Sequence, residues 1–280
     1  MTEIVALVTG ASRGVGRGIA LALLAQGATV HVSARTRTDV QAAVHPQGEG
    51  SLDSLEREAS ALPGRLVTHV CDHADTGATD ALVRSVLAAE RRIDILVNNA
   101  WPGYERMEED GEFTWPRPFW EQPMWRWSAM IDTNLKSAFV ASRAAAPAMI
   151  AAGRGLIVNI SFWAAQKHDG NAIYGVAKAA MDKLSADCAH ELATHGVAAI
   201  SLYPGLVRTE AVMRAAQFFD LSNSESPQFI GRVIAALWRD PQMMARSGKV
   251  QVAAQLAQLY DVNDIDGSRP RPMGPADFGN

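Results

Sequence analysis

Ile4-Val5-Ala6-Leu7-Val8-Thr9-Gly10-Ala11-Ser12-Arg13-Gly14-Val15-Gly16 is the stretch on which the fold turns. Ile4 to Val8 is a short apolar, partly β-branched run, which reads as a buried strand. Beyond the glycines, Ile19, Ala20, Leu23 and Leu24 recur at helical spacing, and Gly27 ends the pattern. Strand, glycine turn, helix is the context in which such a turn cradles a dinucleotide. Glycines permit a tight turn and close backbone approach, and the helix N-terminus offers free N–H groups to a pyrophosphate. Turns that hold no ligand also meet the Gly-x-x-x-Gly-x-Gly spacing; the flanking elements are what argue for a site. Gly10, Ser12, Arg13, Gly14, Val15 and Gly16 are its expected lining.

Strand and helix patterns go on alternating down the chain. Apolar runs predict strands at Ile4–Thr9, Thr29–Ala34, Leu66–Cys71, Ile93–Asn98, Gly155–Ile160, Ala198–Leu202 and near Lys249–Val252. Helical patterns fill most gaps, at Leu52–Ala61, Ala78–Arg91, Met124–Ala146, Tyr174–Thr194 and Ser226–Trp238. Strands that are apolar nearly throughout belong in a parallel sheet covered on both faces. Right-handed crossovers then give a doubly wound α/β sheet of Rossmann type, with ligands at the carboxyl ends of its strands. Residues 1–260 read as one dinucleotide-binding domain with insertions near 101–125 and 208–226, and the Pro-, Gly- and charge-rich 261–280 reads as a surface tail.

Bulk properties narrow the partners. A net charge of −4 with no basic run longer than two residues argues against nucleic acid. The first strand starts at once, leaving no room for a signal peptide, and Arg143 interrupts the apolar Ala138–Ala152, so no membrane span is expected. Cys71 and Cys188 read as small buried hydrophobes of a reducing, cytoplasmic compartment. No histidine stands at ligand spacing from a cysteine or carboxylate, so no metal is expected.

Tyr174 and Lys178 lie four positions apart in Tyr174-Gly175-Val176-Ala177-Lys178, and Ser161 closes an apolar run thirteen residues before the tyrosine. On a helix, positions four apart share a face. An ammonium beside a phenol lowers the phenol's pKa, so Tyr174 is expected below its ordinary value and ready for acid–base work. Together with Thr9-Gly10, Gly14-Val15-Gly16, Asp72, Asn98-Asn99-Ala100, Asn134 and Pro204-Gly205-Leu206-Val207-Arg208-Thr209, these residues resemble the short-chain dehydrogenases/reductases over about residues 4–255. Three further stretches, Tyr174–Leu192, Ser247–Val250 and Asp261–Gly267, narrow the likeness to one subgroup. One departure is Trp101, where the family usually has glycine after Asn-Asn-Ala.

The resemblance implies a catalytic set of Asn134, Ser161, Tyr174 and Lys178. Tyr174 would be the general acid or base, and Lys178 would also hold the nicotinamide ribose. Ser161 would polarise the substrate oxygen, and Asn134 would position a water for proton relay. It implies cofactor contacts at Asp72 (to the adenine amine), Asn98, Ala100, Pro204, Gly205, Val207 and Thr209, and assembly into homodimers or homotetramers. Asp72 also precedes a helical pattern, which leaves it open as an N-cap.

Cofactor choice rests on charge. The second strand ends Ser33-Ala34-Arg35, with Ala34 where an NAD-binding fold places an acid. Guanidinium suits a 2′-phosphate, and Arg13 adds a second positive charge, so NADP (NADPH) is expected. The substrate is expected to be a small carbonyl or alcohol with apolar or aromatic substituents. Trp101, Trp115, Trp120, Trp125 and Trp127, with Tyr104, Phe113 and Phe119, crowd one span, and Phe162 and Trp163 come directly after Ser161. Trp101, Phe162 and Trp163 are the expected substrate contacts, although any single aromatic could equally cap the core. The competing reading is a non-catalytic dinucleotide-sensing or interaction protein on the same fold; a sensor would ordinarily have lost Tyr174 or Lys178.

Overall fold

The computed structural model describes residues 4–45 and 48–277. Strand β1 (Val5–Thr9) lies near the middle of a seven-stranded sheet. Its companions are β2 (Thr29–Ala34), β3 (Arg65–Val70), β4 (Ile95–Asn98), β5 (Gly155–Ile160), β6 (Val197–Tyr203) and β7 (Val250–Val252). The order is β3-β2-β1-β4-β5-β6-β7 and every pairing is parallel. The order in which the chain adds strands reverses between β1 and β4, and the glycine turn after β1 opens at that switch point.

Alternate residues of β1 feed two cores. Ala6 and Val8 join a cluster built on helices α1 (Gly14–Ala25), α2 (Leu52–Ala59) and α6 (Pro227–Arg239). Val5 and Leu7 join another, under α3 (Thr76–Glu90), α4 (Lys136–Ala152) and α5 (Ala172–Leu192). Helices on both faces explain why β1, β4 and β5 are apolar nearly throughout. Helices α1 and α6 meet through glycines. A Cβ on Gly18 would stand 2.1 Å from the Pro227 carbonyl carbon, and one on Gly231 would stand 2.7 Å from Ile19 Cα. Among the described residues no helix is long and apolar enough to cross a membrane, and both cysteines are free thiols.

Two expectations change, and the insertion gains a hairpin. The single helix over Met124–Ala146 is instead a short α-turn (Met124–Trp127), a π-helix (Ser128–Leu135) and then α4, which runs on through Pro147. A π-helix shifts the i→i+4 ladder by one residue, which apolar periodicity cannot register, and such segments gather at functional sites. Helix α3 starts at Thr76, with Asp75 accepting from the Gly77 and Ala78 N–H groups, so Asp75 and not Asp72 is the N-cap. Inside the 101–125 insertion a hairpin pairs Glu108–Glu109 with Glu112–Phe113. Asp110 (φ 53°) and Gly111 (φ 81°) turn it, the left-handed pair that tight hairpins favour.

His73 ties β2 to α3: Nε2 lies 2.8 Å from Ser33 Oγ and Nδ1 lies 3.0 Å from Thr79 Oγ1. Burial, against the weaker pull of Asp72, drives its pKa from 6.5 to about 4. The folded state therefore binds fewer protons than the unfolded one between these values. The stability this provides is complete above pH 6.5 and is lost as pH falls towards 4, by about 3 kcal/mol. Urea unfolding at pH 7 and pH 4 should show His73→Asn losing about that much less stability on acidification than the wild type. Equal losses would remove His73 from the acid response.

Candidate active site and cofactor groove

Site residues gather along the carboxyl edge of the sheet. Gly10 (φ 68°) takes the left-handed turn that ends β1, and a Cβ there would meet Ala100 Cα at 2.6 Å. Gly16 is needed for a different contact: its Cβ would collide with Asn99 Nδ2 at 2.3 Å. That amide donates to the carbonyls of Thr9 and Gly10, both at 2.9 Å, and so clamps the turn to the end of β4. Asn99 is a positioning residue, a part that sequence reasoning does not assign to it. The Asn98 side chain, the expected cofactor contact, is instead committed to the frame, donating to Ser142 Oγ (3.0 Å) and Asn159 Oδ1 (2.7 Å). Its Oδ1 is buried with no partner among the described residues.

The glycine turn fits a phosphate. Helix α1 begins after Arg13 with no side-chain cap and no acid in its first turn. The Gly14 N–H donates 2.9 Å to Glu210 Oε2, an anionic oxygen of the kind a helix N-terminus favours. Ser12 is buried, and Val15 packs against the core beneath the turn. Across the groove, Thr209 caps the helix Glu210–Arg214, and Val207 bridges to Glu225. Gly205 N–H donates 2.8 Å to Glu225 Oε2, which fixes the Pro204–Gly205 turn. Burial lifts the Glu225 carboxyl to about 7 despite that bond.

At the far end, Arg35 and the exposed Asp72 line a cavity of about 200 Å³ together with Pro102 and Glu105. Arg35 pairs with Glu105, and Arg13 donates to His45 Nδ1, to Thr36 Oγ1 at 3.1 Å and to the Gly50 carbonyl at 3.0 Å. Two arginines and a histidine at the end of β2, with Ala34 offering no acid, have the chemistry of a phosphate site.

Tyr174 enters α5 one turn after its cap, Asn171, whose Oδ1 accepts from the Tyr174 N–H at 2.9 Å. Four rings box it in: Trp115 at 5.3 Å, Trp101 at 5.5 Å, Tyr104 at 6.1 Å and Phe162 at 6.3 Å between centroids. Tyr104 donates its hydroxyl to Tyr174 at 3.0 Å. The expected fall in the Tyr174 pKa is reversed. Burial first, then Tyr104, hold it well above 10. Lys178 is buried too, which lowers its pKa to about 7. Its ammonium lies 4.0 Å above the Trp101 ring and donates to the Ile160 carbonyl at 3.3 Å. Burying both groups penalises charge on each, and that outweighs the helical spacing that suggested an ion-assisted phenol. Ser161, at the end of β5, donates to the Lys178 carbonyl at 3.2 Å. Asn134 sits in the π-helix and donates to the Ala100 carbonyl at 2.7 Å; its Oδ1 is buried with no partner among the described residues.

Trp163 is a correction. It packs edge-on against Tyr203 at 5.1 Å, in a cluster with Val252, and does not join the box around Tyr174. A 3₁₀ turn (Trp163–Ala165) succeeds the strand; Phe162 packs against both the Tyr174 cluster and the Trp163 cluster, whereas Trp163 belongs to the latter. Tyr104 and Trp115, two of the aromatics crowded into the insertion, take the place expected of it. That insertion is held by Arg126, which is fully buried. Arg126 donates to the Thr114 and Arg106 carbonyls, both at 3.2 Å, and lies 5.0 Å over the Trp125 ring.

Sheet order, glycine turn and the Tyr174–Lys178 pair define a dinucleotide-dependent oxidoreductase fold, and the sequence profile of the short chain dehydrogenases matches residues 4–218. The chain belongs to that family. It is similar to dehydrogenase/reductase SDR family member 1 of Mus musculus, 39% identical across 94% of this chain and 83% of the mouse protein. A metagenomic short-chain oxidoreductase solved in complex with NADP superposes with a TM-score of 0.68 at 33% identity, over 89% of this chain and 96% of that one. The 3-oxoacyl-acyl-carrier-protein reductase of Brucella melitensis, solved with NAD, gives 0.74 at 25% identity, over 90% and 96%.

Proposed function

We propose that this oxidoreductase uses NADP(H) to interconvert a carbonyl and an alcohol on an apolar or aromatic substrate, with Tyr174 giving or taking the proton. The observation that carries this reading is the Tyr174 hydroxyl, enclosed by four rings one helical turn from Lys178. A bound nicotinamide supplies or accepts the hydride. The chain's own residues manage the proton. Burial keeps the Tyr174 phenol protonated at neutral pH, the form that can donate to a carbonyl oxygen. Lys178, balanced near pH 7, can take up the positive charge that a departing proton calls for. Ser161 offers a neutral donor beside them, and the unpaired Asn134 Oδ1 offers an acceptor for a relaying water. Arg35, Arg13 and Ala34 support NADP over NAD. Relatives solved with either cofactor share the fold, so the preference rests on these side chains.

The aromatic box sets the substrate class. Apolar area buried there contributes about 25 cal/mol per Å², so the specificity constant should rise with the apolar size of the carbonyl substituent. Steady-state rates with NADPH across aromatic ketones and short aliphatic aldehydes test this. Phe162→Ala should raise KM for the aromatic series more than for the aliphatic one, and an equal response would reject the substrate assignment.

The same reading extends to assembly as a homodimer or homotetramer. Ile131, Leu135, Phe139, Ala180 and Leu184 line an outward groove on the π-helix, α4 and α5, with Phe139 half exposed. Sedimentation at micromolar concentration should give a dimer or larger species, and a monomer would refute the pairing.

A further inference from the structure

Five residues touch both ends of the cofactor groove. Trp101 to Glu105 form one turn, closed by the Glu105 N–H donating to the Pro102 carbonyl at 3.1 Å. Trp101 covers the Lys178 ammonium at 4.0 Å and Tyr104 holds the Tyr174 hydroxyl at 3.0 Å. Glu105, at the other end of the turn, pairs with Arg35 and lies 3.7 Å from His45 Nε2. Gly103 lets the turn fold this tightly, since a Cβ there would meet the Trp101 ring at 2.6 Å. The same short backbone carries Glu105, Tyr104 and Trp101, so the contacts at the two ends are joined by a single turn.

The cluster around Glu105 has the make-up of an anion site. Burial pushes the Glu105 carboxyl up, but His45, Arg35 and Arg13 outweigh it and leave the group ionised below its ordinary value. Glu210 plays the parallel part at the glycine turn, where its carboxylate accepts the Gly14 N–H. In the free chain, two of its own carboxylates therefore sit on the donors that suit phosphates.

We propose that Glu105 is a latch that occupies the 2′-phosphate position, so that a ligand carrying this phosphate expels it and thereby uncovers Lys178 and Tyr174 at the opposite end of the groove. The proposal rests on the NADP reading above for the identity of the phosphate. It makes the phosphate more than an affinity handle: the group that distinguishes NADP from NAD also opens the site. Shifting the equilibrium requires only that the phosphate bind the unlatched form better than the latched one, and direct competition for Arg35 and His45 meets that condition.

Adenosine 2′,5′-bisphosphate tests this, because it reaches the phosphate cluster and leaves the nicotinamide end uncovered. Burial holds Lys178 at about 7 in the latched form; opening removes that burial, so labelling at about pH 10 keeps a reactive amine fraction in the open form as well. Acetic anhydride labelling of the full chain, read by mass spectrometry with exposed Lys183 as internal standard, reports that access. Saturating adenosine 2′,5′-bisphosphate should raise Lys178 labelling about fivefold, the scale of a half-exposed ion pair, and 5′-AMP should not. Glu105→Ala should show the raised labelling with no ligand present. Unchanged Lys178 labelling in Glu105→Ala, or under a bisphosphate that calorimetry shows to be bound, would overturn the latch. If calorimetry instead finds the bisphosphate no tighter than 5′-AMP, the NADP reading fails, and Glu105→Ala alone still decides the latch.

Discussion

Tyr174→Phe is expected to lower the turnover of carbonyl reduction at least about 100-fold while leaving cofactor affinity nearly unchanged, the scale of a lost acid–base group. The phenylalanine ring keeps its contacts with Trp101, Trp115 and Phe162, so the box stays packed. Only the Tyr104 hydroxyl loses its acceptor, at a cost of about 1–3 kcal/mol that the fold can bear. A drop in kcat with an unchanged Kd for cofactor therefore isolates the proton. Retention of more than about a tenth of the wild-type rate would move the acid–base role away from Tyr174.

The second large effect concerns the cofactor. Wild-type protein should bind NADPH at least about tenfold more tightly than NADH, or about 1.4 kcal/mol. Ala34→Asp combined with Arg35→Ala should reverse that order. Aspartate at the end of β2 accepts from a ribose 2′-hydroxyl and repels a 2′-phosphate, while the paired guanidinium is lost. Ala34 is buried at the strand end, so the new carboxylate would be held in place and not left to drift in solvent. Kd values for both cofactors, measured for both proteins, settle the matter. Equal wild-type affinities would refute the argument from Arg35 and Arg13.

Much of the sheet was legible because its signals are local. Thr29–Ala34 alternates β-branched or apolar with polar residues, Gly155–Ile160 is largely apolar, and the strands occupy those same residues. The glycine turn was legible for the same reason. Contacts between distant positions were not. Glu210 reaches Gly14 across 196 positions, and Glu105 reaches Arg35 across 70. The Tyr174 pKa was misjudged because spacing reports distance along a helix and says nothing of how completely both partners leave water. Trp163 was misplaced because strand alternation ends at Ser161, and a 3₁₀ turn redirects Trp163, Ala164 and Ala165. The hairpin at Glu108–Phe113 has strands of two residues, too short and too charged for any period-2 pattern.

The glycine seam between α1 and α6 bears on how the protein is made. Helix α1 leaves the ribosome early, yet the surface of Gly18 and Ile19 finds its cover only when Pro227 and Gly231 have been synthesised. Strand β1 likewise gains β2 at once but waits for β4 on its other side. The nascent chain must therefore carry an apolar α1 face uncovered through most of translation, a period in which sticky surfaces invite aggregation. Pausing, chaperone capture and truncation should all act on the same interval, before residues 227–239 emerge. Chains cut short of that point would keep the glycine turn and Tyr174 yet lack the helix that closes the first core.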